Sequence, residues 1–386
     1  MVRTFSLSRV ARLFRLSGAG VLCGLVLILP QVALAEDQKE QQGIDVYGQI
    51  NRGILFFDDG ADSDVYPFVD SSKSVSRLGV TYDTPMNNGW QFQARGEVGL
   101  VWGETNAINQ VDGFSGSFGN ASEPLRKLEV SFSHPDRGTF YLGQGAMASD
   151  GVTGQDLSLT NVVAGAAVKD VAGGFYFRRT DGTLTNFRIK DRFRTLGSSR
   201  RLRVRYDTPI NNNLSFSVAA GREVLEDRDG RYYADAAVRY DGQHGDWRYR
   251  GAAAVRWAGG YDNTQYRPKQ LSFIASGSIL HKPSRYNLTL AYGIEQNSGY
   301  YAYAKFGRRW YKFLPYGWTA ASLDYYYYED SRHNNQVGNS IGLAVVQQFK
   351  AQKFEVYATI RNYDYDDDTA DYFDSYAVLT GIRWRF

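Results

Sequence analysis

The chain has 386 residues, 44 basic against 41 acidic, a single cysteine, and a heavy load of 28 Tyr, 22 Phe and 40 Gly. One cysteine excludes a disulfide-stapled scaffold. The near balance of charge, with no nucleic-acid motif beside it, leaves nucleic acid out as an expected partner.

The first 35 residues read as a leader. Arg3, Arg9, Arg12 and Arg15 form a basic region free of acids, and Gly18 to Leu29 is an apolar run too short to span a bilayer as a stable helix. Pro30 ends the run, and Ala33-Leu34-Ala35 offers a small-residue cleavage site before Glu36. Residues 1–35 are therefore expected to be a cleaved signal peptide, with a retained anchor as the rival. Cys23 would suit lipoprotein acylation only after a small residue, and Leu22 stands there. Cleavage removes Cys23 and four arginines, which leaves 40 basic residues against 41 acidic.

Residues 36–386 have the length of two soluble domains but no linker or composition break to divide them. No later apolar run would make a transmembrane helix, and helical periodicity is nowhere sustained. Alternation with period two recurs instead, so the expectation is all-β. Ile44, Val46, Gly48 and Ile50 alternate with Asp45, Tyr47, Gln49 and Asn51. Fifteen further segments follow: Arg77–Asp83, Trp90–Trp102, Leu128–Ser133, Thr139–Gln144, Arg200–Asp207, Leu214–Gly221, Tyr232–Tyr240, Trp247–Trp257, Gln270–Leu280, Tyr286–Gln296, Tyr300–Phe313, Trp318–Tyr328, Ser340–Phe349, Lys353–Tyr363 and Ser375–Phe386. That makes sixteen strands, an even number as bacterial outer-membrane barrels have. Short turns such as His134–Gly138 and Lys350–Gln352 alternate with longer, more acidic links such as Asp58–Ser76 and Gly103–Lys127. This two-stroke rhythm suits an antiparallel transmembrane barrel and not the four-strand blades of a propeller. The stretch Tyr82-Asp83-Thr84-Pro85-Met86-Asn87-Asn88 recurs as Tyr206-Asp207-Thr208-Pro209-Ile210-Asn211-Asn212, which places both copies at one end of the barrel. Trp and Tyr near segment ends fit the lipid–water interface.

The last segment is the most telling. Tyr376, Val378, Thr380, Ile382, Trp384 and Phe386 share one face, while Arg383 and Arg385 end the other. A free edge of this kind would aggregate in water, but it can close a barrel in lipid. It resembles the C-terminal signature of outer-membrane barrels, which implies that Phe386 is read by the barrel-assembly machinery. With Asp45-Val46-Tyr47-Gly48-Gln49-Ile50, Ser76-Arg77-Leu78-Gly79-Val80, Gly138-Thr139-Phe140-Tyr141-Leu142-Gly143-Gln144 and Arg203-Val204-Arg205-Tyr206-Asp207-Thr208-Pro209, the chain resembles the general Gram-negative porins over nearly all of residues 36–386.

The resemblance implies a sixteen-stranded, trimeric diffusion channel in the outer membrane, in contact with its lipid and lipopolysaccharide. It also implies an inward-folded constriction loop, here about 146–199, facing basic residues on the wall. The loop carries Asp150, Asp156, Lys169 and Asp170. By parity Arg201, Arg203 and Arg205 share the polar face, as do Arg77 and Arg95 on earlier strands. Opposed acids and arginines would set up a transverse field that sorts solutes by charge. The stretch Phe175 to Ile189 departs from the pattern and reads either as a hairpin within the loop or as two more wall strands, making eighteen. Substrate-selective transport of an anion or sugar is the alternative reading, and a barrel enzyme or adhesin is the rival of another class. His134, His244, His281 and His333 lack metal-ligand spacing, and Asp366-Asp367-Asp368 lacks the glycine and glutamate of a calcium loop. No cofactor and no enzymatic motif is expected.

Overall fold

The computed structural model describes residues 43–386, except 101, 115–124, 226–229, 263–264 and 331–332. The expected leader, its cleavage site and Cys23 lie outside the described residues. The chain enters as β1 (Gly43–Asp58), β2 (Ser63–Asp70), β3 (Arg77–Pro85), β4 (Gln91–Gly99), β5 (Leu125–His134) and β6 (Gly138–Ala146). A short hairpin, β7 (Tyr176–Arg178) and β8 (Leu184–Arg188), precedes β9 (Arg200–Asp207), β10 (Leu214–Arg222) and β11 (Tyr232–His244). Next come β12 (Trp247–Asp262), β13 (Gln265–His281), β14 (Tyr286–Glu295) and β15 (Tyr300–Tyr311). The last strands are β16 (Trp318–Asp330), β17 (Gln336–Phe349), β18 (Phe354–Asp366) and β19 (Ser375–Arg385).

Strand pairing runs antiparallel from neighbour to neighbour and closes where β19 meets β1, from Gln49 opposite Arg385 to Asp58 opposite Tyr376. The sheet counts 17 strands, but β2 and β3 share one course. β2 lies along Arg52–Asp58 of β1, and β3 along Gly43–Gln49. The wall therefore has sixteen courses, as expected, and the eighteen-strand option falls away. β7 and β8 pair only with each other, as a separate sheet.

β2 differs from expectation, since Asp58–Ser76 reads as a loop in the sequence. Pro67, Phe68 at φ 59° and flanking Ser and Asp residues hide a strand that the long arm of β1 templates. Residues 71–76 then leave the wall, and their Ser74 carbonyl accepts from Gln49 and Asn51 side chains inside the barrel. The repeated Tyr-Asp-Thr-Pro turn behaves as its chemistry dictates, with Asn88 (φ 60°) and Asn212 (φ 49°) both in the left-handed region.

Alternation decides the faces. Ile44, Val46, Val80, Phe216, Leu290 and Leu323 point outward and are exposed, as a lipid-facing band requires. The apolar core lies inside the barrel. Leu55, Phe57, Tyr301, Tyr326, Tyr363 and Leu379 of the wall cluster with Val163, Phe175, Phe177 and Phe193 of the segment between β6 and β9. The Phe57 and Phe175 rings stack at 4.0 Å, and Phe193 meets Tyr363 edge-on at 5.3 Å.

Candidate functional site

Residues 147–199 join β6 to β9 and are tied to the inner wall by a series of polar contacts. Wall arginines take the first stretch by its backbone carbonyls. Arg203 donates to Ala146 (3.1 Å), Arg205 to Met147 (3.0 Å), Arg239 to Ala148 and Asp150 (2.5 and 3.0 Å), and Arg250 to Asp156 (3.4 Å). The Asp235 carboxylate accepts from the Ala148 and Ser149 amides at 3.1 and 2.9 Å. Farther along, the Leu157 amide donates to Ser278 Oγ (3.0 Å), and Thr160 Oγ1 lies 2.8 Å from Ser322 Oγ. Tyr326 donates to the Arg194 carbonyl (2.6 Å) and Tyr363 to that of Val168 (2.7 Å). Serine, threonine and tyrosine at inward positions thus satisfy a non-repetitive backbone that would otherwise bury unpaired groups.

The loop charges divide into two sets. Asp156 is ion-paired with Lys305, which also donates to the Ala164 carbonyl (2.9 Å). Burial pushes the Asp156 carboxyl up, but the Lys305 ammonium and hydrogen bonds from Ser158 outweigh it and hold the group below the usual carboxylate range. Asp170 lies 3.1 Å from Lys169 and 3.9 Å from Lys73, which reaches over from the inserted 71–76 turn. Burial again acts upward on Asp170, and Lys169 and Lys73 turn the balance downward. Asp150 is different. Its side chain is half-buried within electrostatic reach of Arg205, Arg239 and Lys127.

Of the residues singled out by pattern, the structure brings Arg203, Arg205 and Asp150 together. Arg205 is held by Asp207 (2.8 Å) and lies 5.5 Å from the Tyr141 ring centroid, while Arg203 pairs with Glu129. Arg95 lies 4.0 Å from Glu129, and Arg77 3.8 Å from Glu97. Arg201 turns to Glu223 (2.8 Å) and stacks over Tyr233 at 4.3 Å. Asp156, Lys169 and Asp170 sit away from these arginines, in pairs of their own. Phe386 reaches back to β1, where its amide and carbonyl bond Gly48 at 3.1 and 3.0 Å. Its ring fills the place of a side chain there, since a Cβ on Gly48 would come within 2.6 Å of it.

Lys127, Arg239, Arg248, Arg250, Arg309 and Lys305 also face inward and were not singled out. Parity alone finds them, for example Arg248 and Arg250 against outward Trp247, Tyr249 and Gly251. Among the described residues no group of three His, Cys, Asp or Glu side chains converges as a metal site would need.

A barrel closed in register, filled on one side and lined with charge on the other, is the geometry of a channel. A family model described as Gram-negative porin matches residues 21–369. The chain belongs to the Gram-negative porin family. No curated protein matches it. Among solved structures it is similar to an anion-selective porin from Comamonas acidovorans, at 15% identity and TM-score 0.60, over 89% of this chain and 99% of that one. It is also similar to Salmonella typhi OmpF in complex with daunomycin, at 12% identity and TM-score 0.59, over 89% and 97% of the two chains. The trimer form of OmpT, an outer membrane protein of Vibrio cholerae, aligns at 16% identity and TM-score 0.53 over 89% and 99%. The porin is an outer-membrane diffusion channel, and its family is one of channels rather than of enzymes.

Proposed function

We propose that this porin passes small hydrophilic solutes and ions down their gradients along the side of the lumen built by β3 to β12, with anions preferred. Residues 147–199 act as the constriction, and Arg95, Arg205, Arg239 and Asp150 line the narrow part, with Arg203 buried behind them on Glu129 and with Arg77 and Arg201 flanking it. One observation carries the anion preference. The loop acids Asp156 and Asp170 are already neutralised by Lys305, Lys169 and Lys73, whereas Lys127 and Arg239 make no ion pair among the described residues. The field across the passage is therefore positive on balance.

The lumen carboxylates hold arginines, so we assign them no catalytic work. A homotrimer, contact with lipopolysaccharide, export through cleavage after residue 35 and recognition of Phe386 during barrel assembly complete the reading. Support for the trimer comes from the trimer form of the structurally similar OmpT of Vibrio cholerae. The test is incorporation into planar bilayers under a salt gradient. Stepwise conductance with a reversal potential on the anion side is expected; a potential on the cation side would overturn the preference, and absence of steps would overturn the channel.

A further inference from the structure

Below the constriction, toward the short-turn end, the lumen holds a second basic group. Arg248 and Arg250 of β12 share a single carboxylate, Asp241, at 3.2 and 2.6 Å. Arg309 of β15 and Arg285, just before β14, sit side by side, the Arg309 amide donating to the Arg285 carbonyl at 3.2 Å. Neither has a carboxylate partner among the described residues. The Arg285 guanidinium lies over the Trp318 ring, 4.6 Å from its centroid, which holds it in place. Its Nη1, and Nε of Arg309, are buried without a hydrogen-bond acceptor. Arg309 also lies within electrostatic reach of Arg248, Arg250 and Arg285. The one loop acid in that reach, Asp156, is occupied by Lys305.

Arg309 thus has three guanidinium groups within electrostatic reach, and the one carboxylate that pairs with any of the four, Asp241, is held by Arg248 and Arg250. Such a group carries a strong self-repulsion that fixed carboxylates offset elsewhere in this lumen, as at Arg203–Glu129, Arg201–Glu223 and Arg383–Glu355. Here they do not. Guanidinium forks match the paired oxygens of phosphate and carboxylate, and groups already oriented lose little freedom on binding. The half-exposed side chains of Arg248 and Arg250 leave the group open to lumen water.

We infer that Arg248, Arg250, Arg285 and Arg309 form a saturable site for small oxyanions bearing two or more negative charges, on the periplasmic side of the constriction. The site deepens the anion preference proposed above and rests on it only for its route of access. A bound dianion or trianion would bridge Arg309 and Arg285 to the Arg248–Arg250 pair. Chloride, with one charge and no fork geometry, would bind far more weakly.

Equilibrium binding to the detergent-solubilised porin tests the site without relying on conduction. Inorganic pyrophosphate and succinate are the two probes, and they separate phosphate from carboxylate chemistry. Saturable binding of at least one probe is expected, weakened about 10-fold by Arg309→Gln and about 100-fold by the Arg285→Gln/Arg309→Gln pair. Arg309→Lys should recover part of the affinity, because the charge returns without the fork. Lys350→Gln, the same charge change on an exposed periplasmic turn, should leave binding as it was. Absence of saturable binding in the folded porin, or equal affinity in the double variant, would overturn the site. If probes bind as stated while bilayers show cation preference, the site stands and the selectivity proposal falls.

Discussion

The inner wall of this porin has two unlike halves. From β13 round to β1 the inward positions carry Tyr301, Tyr326, Tyr357, Tyr363, Leu379 and Leu55, packed against 147–199 with water excluded. From β3 to β12 they carry Arg77, Arg95, Glu129, Arg205, Arg239 and Arg250, partly solvated, with Arg203 buried against Glu129. Both halves have the same alternation and the same outward apolar band. The identity of the inward residue alone decides whether a stretch of wall becomes core or conduit.

The halves also treat charge differently. In the packed half the most deeply buried charges occur as complete pairs, Arg285 and Arg309 near its short-turn end being the exceptions. Arg361 and Asp324 meet at 2.6 Å with both side chains fully buried, and Arg361 donates as well to Ser340 Oγ (3.0 Å). In the solvated half, pairs are more exposed and cations are in surplus. Removing one partner should therefore have opposite consequences on the two sides.

The largest effect is expected from Asp324→Ala. It leaves the Arg361 guanidinium buried without its counter-charge, at a cost of about 3–5 kcal/mol. Denaturant unfolding in detergent would measure it, and a loss under about 1 kcal/mol would mean that water reaches this half too. Acid should act next. The folded-state carboxyls of Asp156 and Asp170 lie below the ordinary range. Their contribution is complete above the unfolded carboxyl value of about 4 and is lost as pH falls through the folded values. Melting temperature should hold level above about pH 5 and fall in stronger acid, while the arginines of the other half stay charged and ion preference survives. A flat profile down to about pH 2 would remove these carboxylates from the anchoring of 147–199. The smallest effect on stability is expected from Arg95→Gln, whose nearest acid, Glu129, lies 4.0 Å away. Unfolding should change by less than about 1 kcal/mol, yet reversal potential should move toward cations. A large destabilisation with unchanged selectivity would place Arg95 with the structural charges.

All sixteen wall strands are legible in the sequence, because lipid on one face and lumen on the other force a strict period of two. The dry half is not. Tyrosine serves both as an outward interfacial residue, as at Tyr286 and Tyr292, and as an inward packing residue, as at Tyr301 and Tyr326, so composition cannot separate the two. Nor can it tell which acids face the passage. Asp150 and Asp156 are six residues apart, but Asp156 is claimed by Lys305, a partner 149 positions later that only the closed barrel brings near. β2 stayed hidden for a related reason, since Pro67 argues against a strand until the arm of β1 stands beside it.

The seam between β19 and β1 has one more consequence. Tyr357 reaches Asn51 across 306 positions of chain, and Arg383 reaches Ser74 across 309. Contacts of such sequence separation form late, after most of the loop entropy has been spent. Until they do, the two outermost strands present unpaired edges with apolar stripes to any neighbour. Closure is therefore the slow, exposed moment in the life of this chain, and the pairing of β19 with β1 is what ends it.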